Sequence, residues 1–344
     1  AVSLGHCTEP QNVAASGHGC MVDHACESCP FFLVDPLERE GMEAKRAALK
    51  VKLERARAIR AFASAGLALP DNASYTRYAD LGRPFVVWNV FASPELSLSA
   101  HEWCFPVAGC VNYRGYFRED EARGEASRLA AQGYDVHVGG VPAYSTLGWF
   151  DDPLLSSFIR YPDLELARLI FHELAHQVAY AKDDSTFNES FATAVEEAGL
   201  ARWIASRPPA EAARLSAERD RSDRLRAEFR RMVAETRARL ERVYASEAGD
   251  DAKRREKALA FEAMRDAYAR AKAGEPGLAG YDRWFAGEGG AGPNNASLAS
   301  VGLYTELVPA FRELLAHELG VEADRGEARV VGPLPVVAGE PARG

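Results

Sequence analysis

The residues best suited to chemistry in this chain are His172-Glu173-Leu174-Ala175-His176. Residues 165–180 contain no Gly or Pro, and their apolar members recur at helical spacing. On such a helix two imidazoles four apart leave the same face. That arrangement suits two ligands of a tetrahedral Zn2+. Glu173 is turned off that face, beside the ion, where a carboxylate can take a proton from water. The flanking Leu169, Ile170, Phe171, Leu174 and Val178 predict a largely buried helix, and buried imidazoles need partners. The alternative is a plain helix with two exposed His. His317-Glu318-Leu319 repeats the first half of the pattern, but Val321 stands where the second His would be, so that copy cannot chelate.

A hydrolytic metal site needs a third protein ligand and an open position for water. Residues 181–186 read as a turn, and a second helix is expected from about Phe187 to Trp203. A short turn makes the two helices antiparallel neighbours, so a carboxylate on the second can face the two His. Glu189, Glu196 and Glu197 are the candidates. Glu189 has a competing explanation, because Thr186-Phe187-Asn188-Glu189 also spells a helix-capping box. Glu196 lies seven residues on, on the same face, and could instead orient a ligand His from behind.

The elements that must position these groups can be read on both sides. A charged amphipathic helix spans about 36–66, and an apolar strand spans 83–92 before Pro94. Val111–Phe117 reads as a second strand, Glu119–Gln132 as a helix, and Tyr134–Val141 as an alternating strand in which His137 is a sheet residue. Residues 142–153 are rich in aromatics and turn formers. They read either as an exposed edge that could pair with a peptide or as a hydrophobic loop packed over the core. Residues 209–246 and 251–273 form a charged helical hairpin, 274–293 is glycine-rich and irregular, and a last helical region is kinked at Pro309. The expected class is α+β, with a peptidase domain from 36–204 and 276–320, a hairpin insertion at 205–275 and a tail at 321–344.

At 344 residues, with 47% hydrophobic and 26% charged residues, the composition is that of a globular protein. A net charge of −9 leaves no basic footprint, so nucleic acid is not an expected partner. No run of eighteen apolar residues exists to span a membrane as a helix. Residues 1–35 hold Cys7, Cys20, Cys26 and Cys29 among His6, His18 and His24. Two disulfides, a second metal site and a reduced tail are all compatible with that spacing. Cys104 and Cys110 are close enough in sequence for a disulfide, and Pro106 and Gly109 let the chain turn between them.

Five stretches resemble a bacterial family of predicted aminopeptidases, zinc-dependent and often secreted as lipoproteins. They are Tyr78–Pro84, Trp103–Cys110, Val141–Pro153, the His172–His176 helix, and Asn188–Gly199. Asn188-Glu189-Ser190-Phe191-Ala192 is also similar to the zinc-Glu stretch of gluzincin aminopeptidases. The span 177–188 is shorter than that group's usual spacing, and Glu196 falls at the usual distance. The resemblance implies a zincin-like peptidase with Zn2+ on His172, His176 and a Glu, Glu173 as general base, and Tyr304, from a later helix, beside the oxyanion. It also implies a peptide substrate and an exported, periplasmic or envelope location.

Overall fold

The computed structural model describes residues 5–7, 32–34, 36–105, 109–182, 184–287, 290–302 and 307–318. The chain divides into two compact units, Ala1–Arg55 and Ala56–Gly344. In the first, β1 (Gly5–Cys7) pairs antiparallel with β2 (Phe32–Val34), placing Gly5 opposite Val34. Cys20, Cys26 and Cys29 lie outside the described residues. Helix α1 (Pro36–Leu67) follows, and its turns from Ala56 onward belong to the second unit.

The second unit carries the site. Beyond α1 come β3 (Tyr78–Ala79) and β4 (Val87–Pro94), which starts later than the sequence suggested and includes Pro94 as its last residue. β5 (Trp103–Phe105) and β6 (Gly109–Val111) form a small hairpin, closed by a Cys104–Cys110 disulfide. β7 (Arg114–Tyr116) is separated from β6 by a bend, so the expected single strand is two. Helix α2 (Glu119–Ala130), β8 (Tyr134–Val141) and β9 (Leu154–Leu155) follow. The main sheet is antiparallel in the order β7–β4–β8, while β3 and β9 pair in parallel.

Period-two alternation along β4 decides what each face does. Trp88, Val90 and Ala92 point to one side and pack with Ala122, Ala126 and Leu129 of α2. Val87, Asn89 and Phe91 therefore look the other way, toward the helices that carry the His residues.

Those helices are α3 (Asp163–Ala175) and α4 (Ser185–Ala205). Helix α3 buries Leu164, Leu166, Ile170, Phe171 and Leu174, as its spacing demands. It ends at Ala175 rather than near 180. The amides of Gln177 and Val178 turn back to the carbonyls of Leu174 and Ala175, and Val178 is 48% exposed rather than buried. Helix α4 packs closely because Gly199 has no side chain. A Cβ there would lie 2.7 Å from Leu67 Cδ1 and 3.2 Å from Phe171 Cδ2.

Helices α5 (Pro209–Ala245) and α6 (Asp250–Gly274) make the charged hairpin. Phe229, Met232, Val233 and Leu240 of the first meet Phe261, Met264 and Tyr268 of the second. The stretch expected to be irregular contains a 3-10 turn (Pro276–Tyr281) and the short α7 (Asp282–Ala286). Helix α8 (Asn295–Gly302) packs on β4 and β8, and α9 (Val308–Glu318) packs on α4 with Pro309 in its first turn. Among the described residues no helix is long and apolar enough to cross a membrane.

Candidate metal centre

His172 and His176 leave one face of the end of α3, with ring centroids 4.9 Å apart. Glu189, on the first turns of α4, reaches both. Its Oε2 lies 3.2 Å from His172 Nε2 and its Oε1 lies 3.8 Å from His176 Nε2. The three side chains offer ligand atoms within 4.8 Å of one another. Donors around a tetrahedral ion with bonds of about 2.0–2.1 Å sit roughly 3.3–3.4 Å apart, so the donor set suits a divalent metal in both spacing and chemistry.

Glu196, one face-repeat further along α4, does not join this cluster. It accepts from His172 Nδ1 at 2.9 Å. That contact orients the ring and turns Nε2 toward Glu189 Oε2. Glu196 is held in turn by Arg168, whose Nη1 donates to its Oε1 at 3.1 Å and whose Nη2 donates to Asp223 of α5 at 3.1 Å. Glu165 binds Ser222 and Arg226, so the hairpin grips the back of α3. Glu197 faces away, toward Arg312.

The capping-box explanation of Glu189 does not apply. The helix is capped by Asp184, whose carboxylate accepts from the Phe187 amide at 2.8 Å. Asn188 clamps the preceding turn instead. Its Oδ1 accepts from the Ala181 amide at 2.7 Å, and its Nδ2 donates to the Ala181 carbonyl at 2.8 Å.

Burial and mutual charge set the protonation of the cluster. Burial pushes Glu173 up to about 7; the His172 charge opposes this, and Glu189 adds to it. Burial also disfavours the His172 cation, but hydrogen bonds to Glu189 and Glu196 outweigh it and hold its pKa well above the ordinary value. Burial, then the neighbouring His172, drives His176 down to about 4. Burial alone would raise Glu189 and Glu196, yet their contact with His172 leaves both below the usual range.

These groups open into a cavity of about 470 Å³. Its walls include Asn89 and Val87 of β4, Tyr113 and Gly115 beside β7, and residues 141–147. Leu147 sits at φ 57 and Gly148 at φ 80, which turns the chain sharply past the cavity. Thr146 N donates to buried Asp152 at 3.0 Å, and Leu147 N donates to Ser145 Oγ at 3.1 Å, holding that turn. Within residues 142–153, Ala143 and Asp152 are buried, while Trp149 and Phe150 project outward at 83% and 74% exposed. Strand β8 forms an outer edge of the main sheet up to Val141.

His172, Glu173, His176, Glu189 and Glu196, the candidates from the sequence, lie near one another in the structure. Sequence reasoning missed Asn89, Tyr113, Tyr144 and Tyr180 on the cavity wall. Pairing of β7 with β4 brings Tyr113 there, and local spacing carries no mark of it. Tyr304 lies outside the described residues. Among the described residues, Glu173 and Glu189 are the carboxylates on the wall; Glu102, Asp151 and Asp152 are not part of it.

The architecture is a mixed one in which an antiparallel sheet faces two helices bearing a His, His, Glu donor set. The chain belongs to the family described as "Putative aminopeptidase", which matches residues 36–324. No curated protein and no solved structure matches the chain.

Proposed function

We propose that this protein is a zincin-like, zinc-dependent peptidase, most simply an aminopeptidase, with His172, His176 and Glu189 as metal ligands. The observation that carries this reading is the convergence of two imidazoles and one carboxylate in a cavity wall, with the buried carboxyl of Glu173 beside them. Zinc bound there would supply a Lewis acid that polarises the peptide carbonyl and makes water more acidic. The residues do the rest. Glu173, with its pKa near 7, accepts a proton as water oxygen bonds to the carbonyl carbon. The C–N bond then breaks, and Glu173 returns that proton to the leaving amine. Glu196 keeps the His172 ring in one tautomer while Arg168 keeps Glu196 ionised.

Among the described residues the cavity wall is uncharged outside the site itself, which suits an uncharged substrate side chain. One observation favours endopeptidase action as a second reading. Among the described residues the wall offers no carboxylate besides Glu173 and Glu189 to hold a free α-amine. The Cys104–Cys110 disulfide supports an oxidising, exported location.

Metal analysis after dialysis should find one zinc per chain, lost in the His172→Ala, His176→Ala double variant. Full zinc in that variant would overturn the ligand assignment. Aminoacyl-arylamides should be hydrolysed faster than internally quenched peptides. The reverse preference would select the endopeptidase, and turnover of neither by the zinc-loaded protein would remove the peptidase reading.

A further inference from the structure

Attack on a peptide carbonyl builds negative charge on its oxygen, and a hydrogen-bond donor aimed at that oxygen is worth far more in a shielded cavity than in water. Several other polar side chains on this wall are tied into local structure or stand exposed. Both amide atoms of Asn188 are spent on Ala181. Ser145 Oγ accepts from the Leu147 amide, which holds that side chain in the local turn. Tyr144 and Tyr180 are 39% and 50% exposed at the mouth.

Tyr113 differs from all of these. Its ring is partly buried and packs on Phe91 at 5.8 Å between centroids, in a small cluster with Ala296 of α8. Its backbone is fixed on both sides. Before it lies the disulfide-closed hairpin of β5 and β6. After it, Arg114 and Gly115 are paired with Val90 and Asn89 of β4. The phenol lies on the same wall as Glu173 and Glu189, and its hydroxyl makes no hydrogen bond to any described residue. A held ring with an uncommitted O–H in a catalytic cavity is a preorganised donor.

We infer that Tyr113 is a catalytic residue, its phenol donating a hydrogen bond to the substrate carbonyl oxygen as that oxygen becomes negative. The resemblance gives this role to Tyr304, which lies outside the described residues; among the described residues of the wall, Tyr113 is the tyrosine held in place by packing. The inference rests on the peptidase reading above.

The test is Tyr113→Phe, which keeps the ring packing and removes only the hydroxyl. The expected result is a fall in kcat of roughly 10²–10³-fold with KM, zinc content and melting temperature unchanged. A phosphinic peptide, whose tetrahedral anion mimics the charged oxygen, should lose affinity in parallel, while a cleaved product peptide should not. Wild-type turnover and phosphinic affinity in the Phe variant would reduce Tyr113 to a packing residue and overturn the inference alone. A zinc-loaded wild type that hydrolyses no peptide would instead remove the peptidase reading and this inference with it.

Discussion

Two cavities of similar size are linked through Arg168, Glu196 and His172, and they differ in what their charges are doing. The cavity at the metal centre is about 470 Å³. The other, about 530 Å³, is lined by Arg168, Arg219, Arg226, Arg230 and Arg312 against Glu197, Asp220 and Asp223. In the arginine cavity each carboxylate already has a guanidinium: Glu197 has Arg312, Asp223 has Arg168 and Asp220 has Arg219. In the metal cavity two imidazoles and a carboxylate converge on one point, beside a carboxyl whose pKa burial has raised to about 7. Volume therefore does not mark the chemistry. Convergent groups whose protonation is pushed off its usual value do. The larger cavity is joined to the smaller through Arg168, Glu196 and His172.

The strongest test of that contrast removes the group poised for proton transfer. Glu173→Gln should retain zinc and lose about 10²–10⁴-fold in kcat, measured on the best arylamide substrate. Turnover close to wild type would mean the perturbed carboxyl is a bystander. Next in size is the link between the two cavities. Arg168 is only 7% exposed and faces Glu196, so Arg168→Ala strands a buried carboxylate and should cost about 3–5 kcal/mol in urea unfolding. An unchanged midpoint would show that Arg226, 3.9 Å from Glu196, can replace it.

Glu196→Ala should weaken zinc binding by about 10–100-fold through the loosened His172, and Glu189→Ala should weaken it by more. The opposite order in competition with a chelator would exchange the two roles. A smaller effect concerns protons. In the metal-free protein hydrogen bonds to Glu189 and Glu196 hold the His172 pKa well above its ordinary value of about 6.5, so zinc uptake at neutral pH should expel about one proton. Apparent affinity should then fall roughly tenfold for each pH unit below the raised pKa. The sign for metal-free stability follows: the His172 contribution is complete below pH about 6.5 and is lost as pH rises through the raised value. The lowered Glu189 and Glu196 contribute above about 4.3 and lose that contribution as pH falls through their folded values. Calorimetry in two buffers of different ionisation enthalpy counts the released protons, and zero would remove the His172 assignment. The smallest effect is expected in the arginine cavity, where Arg230→Ala should leave turnover unchanged and stability within about 0.5 kcal/mol. A larger loss in either would give that cavity a role of its own.

The candidate donor set was legible in the sequence because helical spacing puts the two His on one face and a short turn brings the next helix back beside them. His172 and His176 are four apart, and Glu189 and Glu196 are seven apart on the next helix. The elements around it were legible where patterning was regular, as in α1, α2, α5 and α6. Two features were not. The end of α3 looked like buried helix to residue 180, but Val178 and Tyr180 are apolar surface at the cavity's side of the turn, not core. Tyr113 reaches the wall only through long-range pairing of β7 with β4, and a single tyrosine in an apolar run gives no sign of such a contact. The choice between Glu189 as ligand and as helix cap needed the structure, because Asp184 does the capping.

The Asn188 clamp has a consequence for how the two halves of the donor set can vary. An α-helix turns about 100° per residue, so the angular phase of Glu189 is fixed by the number of residues between His176 and the start of α4. Adding or deleting one residue in that turn would swing Glu189 a quarter-revolution or more away from the imidazoles. Glu196 shares its face and would swing with it, so neither could stand in for the other. The turn behaves as a gear mesh: side chains within it can be exchanged, but its tooth count cannot slip.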